Sequence, residues 1–204
     1  MSILDISPVV PVVVLDDPHV AVPLAQALVA GGIRVIELTL RTPTALESIE
    51  RIAGEVEGMT VGAGTVIDPD QAKLAADAGA AFLVSPGVTS RLLDAMADTG
   101  LPFLPGCATV TEVLELRERG LTELKFFPAE ASGGAAFLRS LHGPVPDVRF
   151  CPTGGIGPDN AASYLPLPNV GCVGGSWLTP ADAVARGDWR RVSEWAAEAA
   201  GLRF

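Results

Sequence analysis

The chain has 204 residues, 49% of them apolar and 19% charged, with a formal net charge of -10. That charge argues against nucleic acid as a partner and requires any anionic substrate to find a locally electropositive site. Apolar runs stay well short of the ~18 residues of a membrane span, Met1-Ser-Ile-Leu-Asp5 carries an acid where a signal peptide carries bases, and the three cysteines lack metal or disulfide spacing, so the expectation is a cytoplasmic chain with buried thiols and no membrane partner.

In chain order, Val9 to Leu15 is a β-branched run that reads as a fully buried strand, and Asp16-Asp17-Pro18 opens a helix that stops at Gly31-Gly32. The unit then recurs. Arg34 to Arg41 precedes a helix from Pro43, Thr60 to Val66 one from Pro69, Phe82 to Pro86 one opened by Thr89, and Pro102 to Gly106 one opened near Thr109. Leu124 to Ala129 precedes a helix from about Gly134, Val148 to Thr153 one from Pro158, and Val170 to Val173 a final one from about Pro180. With the first pair, that makes eight strand-helix units at intervals of roughly 20 to 26 residues, the count that closes a parallel barrel. The expected fold is α/β, a single (β/α)8 TIM barrel domain over residues 1–204, with an open doubly wound sheet as the rival.

In such a fold the polar residues late in each strand carry the chemistry. Lys125 is one of only two lysines, and unlike Lys73 on its helix-like segment it sits in a strand between Leu124 and Phe126. A lysine there must be paired, reach water or give up its charge, and the last option makes a nucleophilic amine. Alternation puts Phe127 on the same side, walling the same cavity. Glu37, Thr39 and Arg41 likewise share one side of their strand, facing the interior and mouth. Glu37 pairing with Arg41, or bridging Lys125 with no covalent role, is the structural alternative. Beside Thr65, the small residues of Gly62-Ala-Gly-Thr65 are expected to leave room for a substrate. Gly154-Gly155 and Gly174-Gly175, followed by Ser176, end two strands and are each expected to feed a helix, so their bare N–H groups and the helix N-termini would hold a phosphate. His19 and His142 form no ligand cluster, and no Gly-x-Ser-x-Gly elbow occurs, which argues against a metal-dependent aldolase and a serine hydrolase.

The strings VVPVVVL, ALVAGGIRVIELTLRT, VGAGTV, SPG, LPG, ELKFFPAE, RFCPTGGI and GGSWL, running from Val9 almost to the C-terminus, resemble the 2-keto-3-deoxy-6-phosphogluconate (KDPG) and 2-keto-4-hydroxyglutarate (KHG) aldolases. The resemblance implies a homotrimer of barrels and a metal-independent, cofactor-free class I aldolase that acts through a Schiff base on a phosphorylated 2-keto-3-deoxy sugar acid to release pyruvate. It further implies Lys125 as the Schiff-base amine, Glu37 as acid/base and Arg41 on the pyruvate carboxylate. Thr65, Pro86, Phe127 and Thr153 would line the substrate, and Gly154, Gly155, Gly174, Gly175 and Ser176 would bind phosphate. A phosphosugar epimerase or synthase, which needs no strand-buried lysine, and a non-catalytic metabolite binder are the rival functions.

Overall fold

The computed structural model describes residues 2–202. Strands and helices alternate through most of the chain. The first half comprises β1 (Val9–Val13), α1 (Ala21–Ala30), β2 (Val35–Thr39), α2 (Ala45–Glu55), β3 (Thr60–Gly64), α3 (Pro69–Asp77), β4 (Phe82–Val84) and α4 (Ser90–Asp98). There follow β5 (Phe103–Leu104), β6 (Gly106–Cys107), α5 (Val110–Glu118), β7 (Glu123–Phe126), α6 (Gly134–His142), β8 (Arg149–Pro152), α7 (Ala161–Tyr164), β9 (Val173–Gly175), α8 (Ala181–Ala185) and α9 (Trp189–Ala200).

Several starts are set by side-chain caps that satisfy otherwise orphaned helix N–H groups. Asp68 caps α3 with Pro69 at its first position, Thr89 accepts from the Leu92 N–H of α4, and Thr109 and Glu112 close a capping box on α5.

Two expectations fail near the C-terminus. The helix expected from Pro158 starts only at Ala161 and runs four residues. The single helix expected from about Pro180 is two, α8 and α9, separated by Gly187 at φ +66°. The strand expected across Pro102 to Gly106 is also divided, because Pro105 has no N–H to offer a ladder.

All strand pairs are parallel. Six strands run in the order β5-β4-β3-β2-β1-β9, and β6-β7-β8 form a second sheet. Isolated bridges pair Phe150 with Val170 and Thr153 with Gly174, joining the β8 side to the β9 side. In place of the closed eight-strand barrel expected, the described residues form a parallel sheet curled into a half-barrel, in two pieces meeting at Pro105.

Alternation along the strands divides the core. Ile36, Leu38, Leu124 and Phe126 pack with Leu24, Leu28, Ile49 and Ile52 of the helices, and the Phe126 ring stacks on Phe137 of α6 at 5.0 Å. Val10, Val35, Phe82, Val84, Leu104, Cys151 and Cys172 form a separate interior cluster with Ile3 and Leu4. Burying each large apolar side chain contributes about 1.5–3 kcal/mol, so both faces of the sheet stabilise the fold. A short 3₁₀ turn, Ile3–Asp5, covers the end of this interior where the strands begin, with Asp5 bonded to Arg149 and Ser2 donating to Glu123 at 2.6 Å.

Candidate active site

Among the described residues the interior carries one buried charged pair, on the strand-end side of Glu123 and Arg149. Glu37 lies in the middle of β2, opposite Val12 of β1 and Gly62 of β3, while Lys125 lies in β7 opposite Gly106 and Cys151. Their side chains are 3% and 6% exposed, and the Lys125 Nζ donates to Glu37 Oε1 at 3.0 Å and Oε2 at 3.4 Å. Two ionisable groups withdrawn from water this far are retained at a cost of several kcal/mol each unless their mutual attraction offsets it. Gly64 makes the geometry possible, since a Cβ there would overlap the Glu37 carboxylate. Gly62 similarly gives way to the Phe82 ring. The space beside Thr65 is thus filled by Glu37 and Phe82, which corrects the expectation that these glycines leave room for substrate.

Around the pair, the structure assembles several of the predicted residues. The Phe127 ring centre lies 5.5 Å from Lys125 Nζ, within cation–π range. Arg41, exposed just past β2, donates from Nε to Thr65 Oγ1 at 3.2 Å and has no carboxylate partner among the described residues. Thr65 would share the helix-facing side of Val61 and Ala63 by alternation, but its φ of +58° turns it out of the strand and back to the mouth beside Arg41. Thr153 is buried, with its hydroxyl donating to the Cys151 carbonyl at 3.4 Å, and the bare Cα of Gly174 faces this side chain. Pro86 follows β4 and presents its backbone to the bare Cα of Gly106.

The glycine loops differ from each other. Gly154 and Gly155 take φ of +102° and +77°, and their N–H groups, with that of Ile156, have no partner among the described residues. Successive unpaired amides beside positive-φ glycines are the raw material of an anion-binding concavity. Gly174 and Gly175 are buried in β9, where Gly175 is covered by the Trp177 ring, and Ser176 alone is exposed. Neither pair feeds a helix directly, because α7 and α8 begin at Ala161 and Ala181. The expected pairing of each glycine pair with a helix N-terminus is therefore not met.

Sequence reasoning passed over Ser85 and Tyr164 here and gave Thr39 only its place on the interior side. Thr39 is buried and donates to the Val13 carbonyl at 3.1 Å, and the buried Ser85 accepts from the Gly106 N–H at 3.3 Å, so both tie neighbouring strands together under the site. Tyr164, the only tyrosine in the chain, is fully buried and donates its hydroxyl to Glu130. Burial and the Glu130 carboxylate both raise the phenol well above its ordinary pKa and keep it a donor. Its singularity and the Glu130 of KFFPAE were the only signals available. Two of the cysteines are inert by environment: burial, then Glu112, pushes the Cys107 thiol up to about 12, and the Cys151 contact followed by burial pushes Cys172 well up, while the same contact lowers Cys151.

A parallel α/β fold with a buried amine-carboxylate pair at its strand ends, beside an unpaired guanidinium, defines an aldolase. The comparisons agree: a family model described as KDPG and KHG aldolase matches residues 1–195. A 2-dehydro-3-deoxy-phosphogluconate aldolase of Pseudoalteromonas atlantica is 54% identical over 192 residues, covering 94% of this chain and 89% of that protein. The KHG/KDPG aldolase of Escherichia coli is 52% identical over 198 residues, covering 97% and 93%. Among solved structures, a KDPG aldolase from Legionella pneumophila, with pyruvate captured at low pH as a covalent carbinolamine intermediate, superposes with a TM-score of 0.94 at 44% identity, covering 97% of this chain and 96% of that one. The chain belongs to the KDPG and KHG aldolase family.

Proposed function

We propose that the protein is a metal-independent class I aldolase that cleaves 2-keto-3-deoxy-6-phosphogluconate to pyruvate and glyceraldehyde 3-phosphate, and 4-hydroxy-2-oxoglutarate to pyruvate and glyoxylate. The observation that carries this reading is the Lys125 amine held 3.0 Å from the Glu37 carboxylate in a buried site. The covalent pyruvate adduct of the Legionella pneumophila relative supports the same chemistry.

In this mechanism Glu37 accepts a proton from the Lys125 ammonium, which frees the amine to attack the C2 ketone. The carbinolamine loses water to give an iminium. Glu37, ionised again after its proton leaves with that water, takes the proton of the C4 hydroxyl; the C3–C4 bond breaks and its electron pair passes into the iminium as an enamine. The aldehyde departs, the protonated Glu37 returns its proton to C3, and water hydrolyses the new iminium to pyruvate and free Lys125. Arg41 fixes the C1 carboxylate through its two terminal nitrogens while Thr65 holds its Nε, which places C2 against Nζ. Phe127, Thr153 and Pro86 shape the pocket, and the amides at Gly154, Gly155, Gly174 and Gly175, with the Ser176 hydroxyl, hold the phosphate.

The same reading takes the chain as one domain over 1–204, its two sheets completing a closed (β/α)8 barrel through the bridges at Val170 and Gly174, and assembling as a cytoplasmic homotrimer. Among the described residues no helix is long and apolar enough to cross a membrane. Borohydride added with pyruvate is the deciding experiment: the expected result is a reduced three-carbon adduct on the Lys125 peptide. An adduct on Lys73, or none while aldolase activity persists, would sink the assignment, and activity insensitive to Lys125→Arg would favour an epimerase or synthase.

A further inference from the structure

The Gly154–Gly155 loop is tied down from behind. Gly154 O accepts from the Glu130 N–H at 3.1 Å, Gly155 O accepts from Asn160 Nδ2 at 3.0 Å, and the Ala129 N–H donates to Thr153 O at 2.8 Å. Both glycine carbonyls are engaged while the loop N–H groups have no partner among the described residues, which leaves them free for an anion. Two side chains supply the support. The stem of Glu130 lies under Gly155 so closely that a Cβ there would sit 2.7 Å from Glu130 Cγ. The Glu130 carboxylate is drawn off toward Tyr164, which donates to it, and Tyr164 is itself fully buried. Asn160 and Tyr164 flank α7, so this short helix braces both halves of the loop.

Glu130 is exposed, so solvent screens its charge from an anion on the loop, and the hydrogen bond from Tyr164 holds its carboxylate and stem in place. We infer that Tyr164 and Glu130 are positioning residues that set the Gly154–Gly155 loop and thereby the preference for a phosphorylated substrate over an unphosphorylated one. The inference rests on the proposal that these amides bind phosphate. Neither residue touches the Lys125–Glu37 pair, so their effect should be confined to the phosphorylated end of the substrate.

The test compares KM and kcat for 2-keto-3-deoxy-6-phosphogluconate and for 4-hydroxy-2-oxoglutarate, alongside borohydride trapping of the pyruvate imine on Lys125. Tyr164→Phe and Glu130→Ala are expected to raise KM for the phosphorylated substrate roughly fivefold or more, with kcat/KM for the hydroxyglutarate and imine trapping within about twofold. Glu130→Gln keeps the stem and an acceptor for Tyr164, and is expected to restore KM to within about twofold of the parent. Equal losses on both substrates, or a lower KM in Glu130→Gln, would overturn the positioning role in favour of general stability or simple charge repulsion. Ser176→Ala, at a proposed direct contact, separates the two failures. If it raises KM for the phosphorylated substrate while Tyr164→Phe and Glu130→Ala do not, only the positioning inference falls; if none of the three changes KM, the phosphate-loop reading falls with it.

Discussion

The interior of the curled sheet holds a charge cluster at each end, and they are built on opposite rules. Where the strands begin, Arg149 meets Asp5 and, at 3.6 Å, Glu123, with side chains 37%, 53% and 32% exposed. Where the strands end, Lys125 and Glu37 face each other almost without water. The first cluster has more acceptors than it needs and solvent to screen them, so moving a proton or adding a ligand there changes little. The second has a single amine and a single carboxylate in a poorly solvated site beside an open mouth, so a proton passed between them alters both. Lys125 and Glu123 belong to the same side of the same strand, two residues apart; depth in the sheet, not residue type, separates chemistry from support.

Breaking the buried pair should have the largest effect. Lys125→Met is expected to lower kcat/KM by at least about a thousandfold in a coupled pyruvate assay, whereas Arg149→Met should leave it within about twofold. Retained activity in Lys125→Met would erase the distinction between the two ends. Glu37→Gln is expected to cost about 10²–10⁴ in turnover while imine trapping on Lys125 falls less, and unchanged turnover would reject Glu37 as the proton carrier.

Stability should reverse the order of tolerance. Lys125→Met alone strands a buried carboxylate and is expected to cost about 3–5 kcal/mol in denaturant unfolding, but Lys125→Met combined with Glu37→Leu should be close to neutral or stabilising. A double variant as unstable as the single one would mean the pair supports the fold rather than burdening it.

The smallest effect is expected at the other end. The hydrogen bond from Arg149 holds the Asp5 carboxyl below its usual 3.8. A lowered folded pKa contributes stability that is complete above the unfolded value and is lost as pH falls through the folded one. Asp5→Asn should therefore cost no more than about 1 kcal/mol at pH 7, given the exposure of the pair, and the gap in Tm should close below about pH 4. A gap that persists at pH 2 would assign the effect to packing.

Much of this was legible in the residues because alternation carries positional information. The shared side of Glu37, Thr39 and Arg41, and that of Lys125 and Phe127, follows from a period of two once the strands are recognised. The rule stops where the backbone leaves the strand: Thr65, at φ +58°, lies at the mouth although its parity points to the helices. Glycine was harder to interpret. Gly64 reads as space for substrate but is space for Glu37, and only the neighbouring strand tells them apart. Glu130 and Tyr164, 34 positions apart, show no pattern along the chain, since their hydrogen bond depends on how α7 packs beside the turn after β7.

By itself the sequence determined the alternation of strands and helices, the sides on which the acid, amine and guanidinium lie, and the family. Those properties depend on local periodicity, caps and strings of neighbouring residues. The tertiary structure decided that Lys125 meets Glu37 rather than Arg41, that Arg41 has no carboxylate among the described residues, and that the Gly154–Gly155 amides lie unpaired in a turn instead of at a helix end. Each of these depends on which strands are neighbours and in what register, and hydrogen bonds between strands far apart in the chain set that pairing.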